Sequence, residues 1–194
     1  MSRLMISLMA AAGIAFAGAS HAADKTMSRD AYKADKDKIT AEYKSEKDHC
    51  SSMSGNAKDI CQAEAKGKEK VAKAGLEANY KNTDRARYDA RVAQADADYD
   101  VAKEKCDDMS GNQKDVCVKQ AKATHTKAKA DAKVAKVDSK TAHSATEKRA
   151  DARKDAREDT RDAQYKVAVE KCDGMSGAAK DQCVKDAKVH FGKT

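Results

Sequence analysis

Between residues 88 and 109 the apolar positions follow an alternating spacing of four and three: Tyr88, Val92, Ala95, Tyr99, Ala102, Cys106 and Met109. That is a heptad seam, and it predicts an amphipathic helix with one narrow buried stripe. A sparser copy runs through Tyr32, Ile39, Tyr43, Cys50 and Met53, with Lys36 and Glu46 in two of its positions. A third holds at Tyr165, Ala168, Cys172 and Met175, but upstream it degrades into Arg161, Glu158 and Lys154. Each seam runs into a Ser-Gly step.

The three seams end in one repeated figure: CSSMSGNAKDIC from Cys50 to Cys61, CDDMSGNQKDVC from Cys106 to Cys117, and CDGMSGAAKDQC from Cys172 to Cys183. Tyr43, Tyr99 and Tyr165 precede the first cysteine of each figure, and Ala65-Lys66, Ala121-Lys122 and Ala187-Lys188 follow the second. The unit is therefore Y-x6-C-x2-M-S-G-x2-K-D-x-C-x3-A-K, repeated with spacers of unequal length. Gly55, Gly111 and Gly177 are placed to take the left-handed conformation that ends a helix. Asn56 and Asn112, each three residues before an Asp, have the spacing of a capping box for the next helix. The third copy carries Ala178 there, so its second helix is expected to start less sharply. Helices are predicted near residues 28–53, 57–80, 84–109, 113–140, 145–175 and 179–191. Further breaks fall at Lys81-Asn82-Thr83-Asp84 and between Ser139 and Ser144, where Ser144 and Glu147 have capping-box spacing.

Cys50 and Cys61 lie symmetrically about Gly55-Asn56. In one unbroken helix they would stand about 16 Å apart along the axis, far beyond disulfide reach. If the chain reverses at the Ser-Gly step, the two sulfurs face each other. The repeat thus selects Cys50–Cys61, Cys106–Cys117 and Cys172–Cys183 from the possible pairings. Chain-entropy bookkeeping assigns each such loop about 2.5 to 3 kcal/mol. The expected fold is all-α: three antiparallel helical hairpins, about six helices, each hairpin stapled by a local disulfide, either extended or loosely bundled. The divisions are hairpin repeats over 23–82, 83–142 and 143–194.

Composition supports this and limits the core. The chain of 194 residues is 37% charged and 4% aromatic, lacks proline and has a mean hydropathy of −0.87, so little apolar mass exists for a large interior. Residues 1–22 read as a cleaved signal peptide: Arg3, an apolar run from Leu4 to Ala17 too short to span a bilayer, and small residues around Ala22. Removing them takes the net charge from +7 to +6. The mature chain is expected in the periplasm or secreted and not membrane-spanning, a compartment in which cysteines pair.

Chemistry beyond the disulfides is sparse. Cys, Met and His49 form a soft set suited to Cu(I), but the cysteine spacing is not C-x-x-C and no histidine recurs with the repeat. No thiol is singled out as a redox catalyst. No catalytic residue, metal ligand or cofactor is expected. The stretch from Lys119 to Lys140, where lysines far outnumber Asp131 and Asp138, suits a solvated helix or a weak electrostatic stripe for an anionic polymer. Without interleaved aromatic residues, nucleic acid is a poor fit.

The repeat, together with the tail Ala187-Lys188-Val189-His190-Phe191-Gly192-Lys193, resembles small exported Ala/Lys-rich proteins of Gram-negative bacteria often labelled cell envelope biogenesis or TolA-like. The resemblance implies a helical envelope protein with no established activity. The expected function is a non-enzymatic structural or interaction scaffold whose partners are envelope proteins or anionic envelope polymers, with self-association through the Ala and Val seams open. The alternative is a metal or thiol-redox buffer using Cys, Met and His.

Overall fold

The computed structural model describes residues 27–139 and 145–193; the expected leader and the Ser144–Glu147 capping box fall wholly or partly outside them. Six helices occur among these residues: α1 (Arg29–Ser51), α2 (Gly55–Lys81), α3 (Asp84–Cys106), α4 (Gly111–Asp138), α5 (Ala145–Cys172) and α6 (Gly177–Phe191). Each packs on its neighbours in the chain and on no other helix. The result is a single layer of antiparallel helices. Each of the five longer helices, at 1.5 Å rise per residue, is on the order of 35–42 Å long.

The three cystines join α1 to α2, α3 to α4 and α5 to α6, with Cα–Cα separations of 5.6, 5.7 and 5.7 Å. Between hairpins, α2 lies on α3 and α4 on α5 with no disulfide between them. Those junctions rest on small side chains. Ten of the fifteen buried apolar residues are alanines. Alanine buries little area but allows two helices to approach closely. The tightest point is Gly67 against Ala97, where a Cβ added to Gly67 would stand 3.0 Å from the Ala97 Cβ.

The helix α3 therefore has two buried stripes. The one toward α4 contains Ala95 and Cys106, part of the heptad seam. A second, toward α2, contains Ala86 and Ala97, with Ala90, Ala93 and Val101 in register between and beyond them. The equivalent face of α5 buries Ala152 and Val167. On α5 the hairpin seam fails at Lys154, Glu158 and Arg161 because α6, with 15 residues against 28, ends before it could cover them. Near that end Phe191 meets Tyr165 edge-on at 6.1 Å, and Lys193 pairs with Asp162.

Helix boundaries differ from the sequence expectation at each Ser-Gly step. The first helix of every hairpin stops at or one residue beyond its cysteine, and a tight turn closes it, with the Met53, Met109 and Met175 amides donating to the carbonyls of Cys50, Cys106 and Cys172. Gly55, Gly111 and Gly177 do take positive φ, at +58, +55 and +58°. They open the second helix instead of ending the first, directly after the extended Ser54, Ser110 and Ser176. The helix α6 starts with the same geometry as α2 and α4, so Ala178 does not blunt it: the start is set by the Ser-Gly backbone. At the opposite edge Asn82, with φ of 47°, closes α2, and the Thr83 hydroxyl accepts from the Ala86 amide to open α3. Arg149 and Arg153 bridge to Asp138 across the α4–α5 connection.

Candidate interaction surface

All three cystine-bearing turns lie at one edge of the layer, because helices alternate in direction and the turns belong to odd–even pairs. The cystines are asymmetric. Cys50, Cys106 and Cys172 are 1%, 0% and 0% exposed, while Cys61, Cys117 and Cys183 are half-buried. Every cysteine of the chain is bonded, so in this oxidised form none is a thiolate. Among the described residues no group of three or more His, Cys, Asp or Glu side chains could hold a metal ion.

The repeated turn residues divide their labour. The asparagines do not cap their own helices: the cap positions are Ser54 and Ser110, and neither side chain makes a capping bond. Asn56 Nδ2 instead donates to the Glu104 carbonyl at 2.9 Å, and Asn112 Nδ2 donates to the Glu170 carbonyl at 2.9 Å. Both acceptors lie two residues before the first cysteine of the next hairpin. These carbonyls also accept the amides of Asp107 and Asp173, so each asparagine satisfies an end-of-helix carbonyl in its neighbour. The physical reason is placement: a side chain one residue past the positive-φ glycine projects sideways along the layer. In the third hairpin Ala178 occupies this place and offers no donor. In hairpins two and three the turn is also spanned by Lys114–Asp107 and Lys180–Asp173, each at 2.9 Å. The second of these holds the Lys180 pKa above its ordinary value.

Methionine is used differently than the seam suggests. Met109 and Met175 are 45% and 48% exposed, so in those hairpins it does not fill the interior. Met109 borders an open groove of about 620 Å³ between α3 and α4, with Tyr99, Cys106, Val116, Ala128 and His125 along it. The matching groove between α1 and α2 holds Cys50, Met53, Ile60 and Ala65. A third lies between α2 and α3. Glu64 and Lys68 border the first two of these in chain order, and Asp98 and Ala102 the next two, so all three open on one face. The opposite side of the α2–α3 junction is polar, with Asp59, Lys66, Asp100 and Lys103.

Charges mostly knit the layer together. Lys70–Asp100, Lys105–Glu64, Lys119–Glu170 and Lys133–Asp155 cross between hairpins at 3.1 to 3.5 Å. Within the Lys119–Lys140 stretch, Lys127 pairs with Asp131, Lys129 reaches Asp96, and Lys136 lies 4.8 Å over the Tyr88 ring. His125 stacks on Tyr99 and stands 2.6 Å from Asp96. At the far end of the first hairpin, Tyr32 donates to Glu77 at 2.7 Å and packs against Tyr80. Lys81 and Tyr32 together hold the Glu77 carboxyl below its usual range, and the same bond raises the Tyr32 hydroxyl.

No protein-family model, curated protein or solved structure matches this chain. No helix among the described residues is long and apolar enough to cross a membrane. Three disulfides fit an oxidising compartment.

Proposed function

We propose that the chain is a non-enzymatic scaffold of the Gram-negative cell envelope, exported and then oxidised, that presents a long grooved face to envelope proteins or anionic polymers. The observation that carries this reading is the single-layer architecture: helices that touch only their chain neighbours leave both broad faces open to partners, in a protein whose six cysteines are all spent on staples. The resemblance to exported Ala/Lys-rich repeat proteins labelled TolA-like supports the location. The engagement of most α4 lysines within the layer favours protein contacts over a dedicated polyanion stripe.

Thiol titration and metal analysis of protein taken from the periplasm, combined with photo-crosslinking in cells from Gln94 on the grooved face and Lys66 on the polar one, tests the proposal. The scaffold gives no titratable thiol and crosslinks concentrated at Gln94. Reactive thiols, or copper bound in stoichiometric amount, would replace it with the metal or redox buffer.

A further inference from the structure

The middle cystine occupies a position the outer two do not. Asn112, which reaches forward to Glu170, lies between Cys106 and Cys117; Glu104, which receives Asn56 from behind, lies two residues before Cys106. The first cystine brackets only a donor, Asn56. The third adjoins only an acceptor, Glu170. We infer that Cys106–Cys117 is a redox coupling point whose reduction releases the cystine-edge ends of both inter-hairpin junctions, whereas reduction of either outer cystine releases one.

The geometry supplies the mechanism. Gly111 holds φ of +55° at the start of α4, and the staple closes the loop that keeps Asn112 aimed along the layer. With the staple open, the turn relaxes toward the many conformations available to Ser-Gly, and the C-terminal turn of α3 frays, taking the Glu104 carbonyl with it. A dithiol reductant attacks as its thiolate on the sulfur of Cys117, the half-buried partner. A mixed disulfide forms and Cys106 leaves as a thiolate that takes up a proton. The second thiol of the reductant then closes on the mixed disulfide, so Cys117 is freed as a thiol and the reductant ends as its own disulfide.

The test uses the full chain and hydrogen exchange followed by NMR, with two reporters, the Asn56 side-chain amide in the first hairpin and the Asp173 backbone amide in the third; when the middle pair is removed, both lie in hairpins whose own cystines are intact. Cys106→Ser with Cys117→Ser is expected to speed exchange at both reporters about tenfold or more. Cys50→Ser with Cys61→Ser moves Asn56 and leaves Asp173 within about twofold; Cys172→Ser with Cys183→Ser does the reverse. Asn112→Asp, with every cystine in place, moves Asp173 alone, because a carboxylate matches the amide in size but cannot donate to a carbonyl. Asn56→Asp likewise accelerates the Asp107 amide. The inference is overturned if the middle pair leaves either reporter unchanged, or if an outer pair moves both. Should the middle variant lose helix content altogether, unchanged exchange in both Asp variants overturns it equally.

Discussion

Two glycines of α2 make opposing demands on the same substitution. Gly75 has no neighbour within 4 Å of a new Cβ and carries ordinary helical backbone, whereas a Cβ on Gly67 would stand 3.0 Å from the Ala97 Cβ and 3.6 Å from its Cα. Gly→Ala inside a helix gains about 0.8–1 kcal/mol in propensity at either position. At Gly67 that gain is set against an overlap with a short side chain anchored to backbone, so α2 and α3 must part by several tenths of an ångström along a seam of alanines. Overpacking of this kind costs about 1–3 kcal/mol. Gly75→Ala is therefore expected to stabilise by up to ~1 kcal/mol, and Gly67→Ala to lie ~1–3 kcal/mol below it, at or under the parent protein. Urea unfolding of the oxidised proteins, followed by circular dichroism at the helix band, measures both. If Gly67→Ala stabilises as much as Gly75→Ala, α2 and α3 are not in contact, and the hairpins are strung out along the chain instead of layered.

Gly111→Ala meets no steric neighbour, so its cost is conformational, about 1–2 kcal/mol for a left-handed residue with a Cβ, and Gly111→Asn should recover part of it in the same unfolding assay. Glu77 has its pKa lowered by Lys81 and Tyr32, and Asp162 by Lys193. Both therefore contribute stability above their unfolded-state pKa that is lost as pH falls through the folded one, so acid titration followed by Tyr32 and Phe191 NMR signals should release the open ends of the first and third hairpins before the helices melt. Asn56 and Asn112 side-chain signals should stay unshifted across that range. Reduction of all three cystines should lower the melting temperature and broaden the transition, since each loop contributes about 2.5 to 3 kcal/mol; a reduced protein with the same melting curve would show that the staples are incidental.

The hairpins were legible because their signals are local. A five-residue arm on each side of Gly55-Asn56, and of its counterparts in the other copies, fixes where two sulfurs can meet, and the left-handed glycine follows from the same reversal. The junctions between hairpins were not. Ala86, Ala90, Ala93 and Ala97 do follow heptad spacing, with Val101 one further turn on, but in so Ala-rich a chain a stripe of alanines hardly stands out from its background. The role of Asn56 was hidden for a different reason: its partner carbonyl is 48 residues away, and the spacing to Asp59 offers a plausible local alternative. The one signal in the sequence is Ala178 in the third copy: α6 starts as sharply without the asparagine, as expected if that side chain serves a neighbouring hairpin and not its own helix. Likewise Lys154, Glu158 and Arg161 broke the third seam where α6 ends.

Whether six helices lie in one layer can be read as a distance between its two outer helices. Spin labels at Ala41→Cys on α1 and Lys185→Cys on α6, measured by pulsed electron–electron resonance on the oxidised chain, span five interhelical steps of about 8–10 Å each. A layer gives a single distribution centred at roughly 40–50 Å, and a collapsed bundle, with a peak below roughly 25 Å, would contradict it.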